Sequence, residues 1–140
     1  MDPIINKALL KLSERAKELN CLYEVEEAIR NSNESEDNLF KKLIEIIPLG
    51  MQHSTVCEVR ISYGDKVYES DDYQNCKWMI QSDLILDKTK VGQIQVVYTQ
   101  HINPDVEKQF LPDEQKLIDN ISSRISCWLF VLMLKKSGSK

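Results

Sequence analysis

Apolar positions near the start of the chain recur at alternating steps of four and three, which is the spacing of a coiled-coil seam. This first stripe comprises Ile5, Leu9, Leu12, Ala16 and Leu19. From Leu22 onward the apolar positions move to a different side of the same helical pattern, with Val25 and Ile29. The pattern therefore predicts a first helix, to about Arg30, with one face for its own domain and another for a partner.

The last helical pattern shows the same doubling of apolar faces. Its main stripe is Leu117, Ile118, Ile121, Ile125, Trp128, Leu129 and Leu132. A second stripe opens with Cys127, Phe130 and Leu134. This second stripe is either a helix end covered by the first helix or the start of a coiled coil toward an output domain, and the new face favours the coiled coil. The unbroken apolar run 127–134 is shorter than the roughly 20 residues that a bilayer requires, so we expect no membrane association.

The region between these helices predicts one more helix and four strands. Asp2, followed by Pro3, is a suitable cap for the first helix. Ser35 is a suitable cap for the second helix, and Pro48 and Gly50 end it. The predicted strands, from alternating apolar positions and turn residues, are 55–61, 67–69, 78–86 and 91–98. Gly92 indicates a bulge or a close backbone approach. Segments 70–77 and 101–109 are predicted loops, and the last helix is predicted to run from near Pro112 to Lys135 or Lys136. The short connections favour an antiparallel sheet with helices on one face, an α+β fold.

Composition narrows the function classes. The chain of 140 residues is 42% hydrophobic and 29% charged, as is usual for one soluble domain. Its net charge of -4 and the lack of a basic cluster argue against nucleic acid as the main partner. The charged, amphipathic start is unlike a signal peptide, and the four cysteines are scattered, so we expect free thiols in the cytoplasm.

Candidate reaction chemistry is weak. His53 and Cys57 are four residues apart, but Cys57 alternates with core positions, so a buried structural thiol is favoured over a nucleophile. Two histidines and dispersed cysteines show no metal-ligand spacing, and we expect no cofactor, no metal and no catalysis. Trp78 and Tyr98 fill the core or line a small cavity under the loop 70–77. If there is a pocket, the candidates are Cys57, Val59, Tyr68, Trp78 and Tyr98.

The order and spacing of six blocks resemble the GAF family of sensory domains over about residues 18–130. The blocks are 22–25 (LYEV), 39–48 (LFKKLIEIIP), 57–61 (CEVRI), Trp78, 91–98 (VGQIQVVY) and 110–118 (FLPDEQKLI). The resemblance implies a GAF-like (profilin/PAS-like) antiparallel sheet with the N- and C-terminal helices packed together on one face. It also implies an extension of the first helix at 1–17, a GAF-like domain at 18–134, and a flexible tail or linker at 135–140.

The function that this resemblance implies is regulatory and non-catalytic. The domain is expected to form a homodimer through its terminal helices, to bind a small molecule, and to signal to an attached sensor histidine kinase or dikinase output domain. The Asn-Lys-Phe-Asp-Glu type signature of cyclic-nucleotide-binding relatives is missing from this chain. Two alternatives stay open, a dimerisation module without a ligand and a small redox enzyme that uses Cys76.

Overall fold

A computed structural model describes residues 2–100 and 110–138, so the predicted loop at 101–109 lies outside the described residues. Within these residues the fold has three α-helices and four strands, with 3-10 turns at Ile47–Gly50 and Ser54–Val56. The helices are α1 Pro3–Arg30, α2 Glu36–Ile46 and α3 Pro112–Gly138. The strands are β1 Cys57–Tyr63, β2 Lys66–Glu69, β3 Met79–Leu86 and β4 Thr89–Tyr98.

The helix starts are those predicted from the capping residues. The Asp2 side chain accepts a hydrogen bond from the amide of Ile4 at 2.9 Å, and Pro3 is the first helical residue. Ser35 Oγ accepts from the amide of Asn38 at 3.2 Å. These bonds satisfy amide donors that a helix leaves free at its N-terminus. At the other end, α3 runs to Gly138, beyond the predicted stop at 135 or 136.

The four strands form one antiparallel sheet in the order β2-β1-β4-β3. Gly92 of β4 lies opposite Tyr63 of β1 and Leu84 of β3, and the β3–β4 register shifts directly after Leu84. A Cβ on Gly92 would lie 2.0 Å from the backbone oxygen of Ser62. Both parts of the expectation for Gly92, an irregular ladder and a close backbone approach, are therefore confirmed.

One face of the sheet is buried against helices, which confirms the α+β fold. Helix α3 packs on β3 and β4, and α2 packs on β1 and β2. Helix α1 packs on α2, on the turn at 47–50 and on α3, so α2 shares the sheet with α3. The buried residues of α1, such as Cys21 and Val25, all lie in its second half, so this half of the helix packs on its neighbours. Cys21 meets Gly50, where an added Cβ would lie 2.7 Å from the Cβ of Cys21.

Side chains of α3 also bond to edge strand β3. Ser126 Oγ accepts from the amide of Ile85 at 3.0 Å, and Gln115 Nε2 donates to the backbone oxygen of Gln81 at 3.0 Å. Ser82 and Ser122 share a hydroxyl–hydroxyl bond of 2.6 Å. Helix α3 is thus attached to β3 by polar bonds as well as by its apolar face.

Candidate functional site

The residues predicted to line a pocket are divided by the structure between a filled core and its margin. Cys57, Val59 and Tyr98 are buried on the helix-covered face of the sheet, and Cys57 is the cross-strand partner of Tyr98. Tyr68 is also buried, and its ring lies 5.3 Å from that of Phe40. Trp78 is half-buried directly before β3. The structure therefore brings three of the five predicted pocket residues together in the core: Cys57, Val59 and Tyr98.

A buried carboxylate, Glu114, lies beside this cluster. Its Oε1 accepts from the amide of Leu111 at 2.7 Å, while Oε2 accepts from the amide of Gln52 at 3.1 Å and from the Tyr98 hydroxyl. The Tyr98 hydroxyl in turn accepts from the amide of His53 at 3.3 Å. The carboxylate joins the start of α3, the end of β4 and the segment that precedes β1. Glu114 is not among the residues predicted from the sequence. The available signal is its place at the third position of α3, where a glutamate can accept a hydrogen bond from the backbone that precedes the helix.

The pKa values of the buried side chains in this core are raised by their burial. Burial raises the pKa of Tyr98, and the bond to Glu114 raises it further. Burial raises the pKa of Cys21 to about 12 and also raises that of Cys57. A thiol with a raised pKa stays protonated at neutral pH, and the protonated form is a poor nucleophile. The environment of Cys57 thus opposes nucleophilic catalysis with His53.

Surface grooves lie away from the predicted pocket residues. A groove of about 580 Å³ runs between the first half of α1 and the start of α3, lined by side chains that include Ile4, Ala8, Leu111 and Pro112. Burial and the nearby Asp113 carboxylate raise the pKa of Glu18, which also lines this groove. None of the five predicted pocket residues lines it.

The α1 stripe is exposed along its whole length. Its four large side chains, Ile5, Leu9, Leu12 and Leu19, keep between 51% and 68% of their surface in solvent, and Ala16 is exposed too. Tyr23, the next position in the series and not among the predicted residues, is 59% exposed. At 3.6 residues per turn, the stripe lies on the side of α1 opposite its buried residues.

The α3 stripe is exposed in the same way. Cys127 is exposed, Phe130 keeps 38% and Leu134 keeps 53% of its surface in solvent. These residues also lie opposite the buried face of their helix, so helix α1 does not cover them. The structure therefore leaves both predicted interface stripes open.

Ion pairs between α1 and α3 show the relative direction and position of the two helices, and so of the two stripes. Glu26 of α1 pairs with Arg124 of α3 at 3.1 Å, and Glu34, after the end of α1, pairs with Lys135 at 3.0 Å. Since residue numbers rise together along both helices, α1 and α3 run parallel, with 26 level with 124. The α1 stripe then occupies one end of the outer surface and the α3 stripe the other. We call the two stripes together the apolar band; its residues are Ile5, Leu9, Leu12, Ala16, Leu19, Tyr23, Cys127, Phe130 and Leu134.

Apart from Val131, which is 45% exposed, polar residues occupy most of the rest of this outer surface. Along α1 the band gives way to Glu27 and Arg30, which pair with each other at 2.7 Å. Along α3 the same face begins with Lys116 and Ser123, both exposed. The band therefore crosses the outer surface diagonally, from the first half of α1 to the last half of α3.

Helix α3 also meets a compositional criterion for a membrane span between Pro112 and Lys136. However, 39% of that window is buried inside the fold, and core helices of soluble proteins meet the same criterion. This is weak evidence for a membrane. Comparison of the chain with protein-family models, with curated proteins and with solved structures finds no match.

Proposed function

We propose that this chain is a non-catalytic regulatory domain of the GAF type that forms a homodimer through its terminal helices. The observation that carries the proposal is the apolar band, a coiled-coil spacing that the fold leaves in solvent. The order of elements and the antiparallel sheet with helices on one face support the family assignment. Among the described residues, the burial of Cys57 and Tyr98 in the core favours the version in which dimerisation is the main task.

The exposed area is enough for a dimer of modest affinity. Burying the exposed half of a large apolar side chain contributes about 1 kcal/mol, so the α1 stripe contributes roughly 5 kcal/mol from each copy. Association costs about 4–15 kcal/mol in lost freedom of motion. A dimer through the α1 stripe alone would be weak, and the α3 stripe adds the side chains that make it stable. Both terminal helices are therefore needed.

Signalling in such a dimer is mechanical. A small molecule or partner that binds one arrangement of α1 and α3 better than another shifts the balance between the two arrangements. The groove between α1 and the start of α3 is the place where a ligand would touch both helices. Its volume of about 580 Å³ suits a small molecule. An attached kinase or dikinase domain would then receive the change through α3.

Sedimentation analysis tests the dimer directly. We expect the wild-type chain to be dimeric at high micromolar concentration, and Leu12→Glu with Leu19→Glu to be monomeric with an unchanged circular dichroism spectrum. Leu49→Glu is the matched control, because Leu49 is 59% exposed and lies outside the band. A wild-type monomer, or a dimer that the double change leaves intact, would refute the proposal.

A further inference from the structure

We infer that two copies pair in parallel and in register, about a two-fold axis that follows the apolar band. In this arrangement α1 meets its own copy through the first half of the helix, and α3 meets its own copy through the last half. The inference rests on the proposed homodimer and specifies its geometry. The partner is a second copy because the exposed α1 stripe has the spacing of a coiled-coil seam, and a two-fold interface buries this same stripe of each chain against its copy.

The diagonal course of the band selects the direction of the axis. An axis directed across the helices can be centred on one stripe only. If it is centred on the α1 stripe, the two α3 stripes lie at opposite ends of the dimer and stay in solvent. An axis that follows the band buries both stripes at once, each against its own copy.

Charges beside the α1 stripe favour the same arrangement. The flanking positions are Asn6, Ser13 and Asn20 on one side and Ala8, Arg15 and Leu22 on the other. In an antiparallel α1 pair, the flanking Arg15 residues of the two copies face each other, which places like charges together. In a parallel pair Arg15 faces Asn20 of the other copy, and no like charges meet.

One more symmetric arrangement would bury both stripes, by packing the α1 stripe of one copy on the α3 stripe of the other. The α1 stripe has six positions, from Ile5 to Tyr23, whereas the α3 stripe has three. Pairing them would leave about half of the α1 stripe without an apolar neighbour. Self-pairing gives each position an apolar neighbour, its own copy, and is therefore preferred.

Cysteine cross-linking of the full chain tests this geometry. The background carries Cys76→Ser and Cys127→Ser and keeps the two buried thiols. Leu12→Cys and Phe130→Cys are each expected to form covalent dimers in high yield on mild oxidation. Lys116→Cys is the control: it lies on the same face of α3 as Phe130, two heptads earlier, and should remain mostly uncross-linked, as should Lys11→Cys beside the groove.

The remaining outcomes overturn the inference in distinguishable ways. Covalent dimers formed mainly when Leu12→Cys is mixed with Phe130→Cys would show that α1 pairs with α3. Dimers formed mainly between Leu9→Cys and Leu19→Cys would show an antiparallel α1 pair. A high yield from Lys116→Cys would place the axis along the whole of α3. If sedimentation shows only monomers, the proposed dimer itself fails, whereas a dimer with one of these other patterns overturns the geometry alone.

Discussion

The Glu114 carboxylate provides the sharpest test of how this core is held together. Glu114→Ala removes the acceptor of three donors: the amides of Gln52 and Leu111 and the hydroxyl of Tyr98. A buried donor without an acceptor costs about 1–3 kcal/mol, and water that enters the new space recovers part of that cost. We therefore expect a loss of about 4 kcal/mol in the free energy of unfolding, a large fraction of the total for a domain of this size.

Smaller changes to the same network should give a graded series. Tyr98→Phe removes one donor and leaves the carboxylate with two amides, so we expect a loss of about 2 kcal/mol. Glu114→Gln keeps the shape of the side chain but lets its amide nitrogen face a donor, with a similar loss. Because Tyr98 and Glu114 share a hydrogen bond, the double variant should lose less unfolding free energy than the sum of the two single losses.

Urea unfolding followed by circular dichroism measures these losses. The melting temperature should fall by about 4 °C for each kcal/mol of lost stability. Asp113→Ala is the matched control, since Asp113 is the neighbouring carboxylate in the first turn of α3. Its interaction with the helix dipole is worth about 0.5 kcal/mol. If Glu114→Ala costs no more than Asp113→Ala, the network does not stabilise the fold. If Glu114→Ala does not fold, Glu114→Gln and Tyr98→Phe carry the same test.

Three further measurements address other parts of the structure. Gly92→Ala should lower the free energy of unfolding in urea by several kcal/mol, because the added Cβ would meet a backbone oxygen at 2.0 Å. Gly64→Ala is the control: Gly64 lies in open space at φ 60°, so the change should cost about 1 kcal/mol. Equal losses in the two variants would contradict the close approach at Gly92. Since the folded-state pKa values of Cys21 and Cys57 are raised above the ordinary value of 9.0, the folded state holds protons that the unfolded state releases, and stability should fall from about pH 9 upward by up to about 1.4 kcal/mol per pH unit for each thiol. Constant unfolding free energy between pH 8 and 10.5 would show that these thiols are not shielded. Native thiol labelling should modify Cys76 and Cys127 and leave Cys21 and Cys57 unreacted until the protein unfolds. A single cysteine that reacts far faster than a free thiol would instead favour the hypothesis of a redox enzyme.

The elements of the fold could be predicted from sequence because each one has a strong local signal. Asp2 and Ser35 mark helix starts, and the alternation of Cys57, Val59 and Ile61 with polar residues gives both a strand and its buried face. Gly92 could be interpreted from its place inside a strand, where a missing side chain usually serves a close approach. Such signals depend on a few neighbouring residues and do not require knowledge of the rest of the chain.

The packing partners of those elements could not be predicted in the same way. Periodicity shows that α1 has an apolar face, but not that α2 and the turn containing Gly50 lie against it in addition to α3. Alternation places Tyr98 inside, yet it does not distinguish a filled interior from an open cavity. Glu114 has no apolar pattern at all, and its burial depends on Gln52, which lies far away in sequence.

The polar bonds between α3 and β3 have a consequence for aggregation. An edge strand with free backbone groups is a template for adding strands from other chains, which leads to amyloid-like growth. Here Ser126 and Gln115 occupy backbone groups of β3, and the opposite edge strand, β2, is only four residues long. The sheet is therefore a poor starting point for strand addition. In the proposed dimer, self-association takes place at the helices, where it ends at a closed pair and does not continue into a fibre.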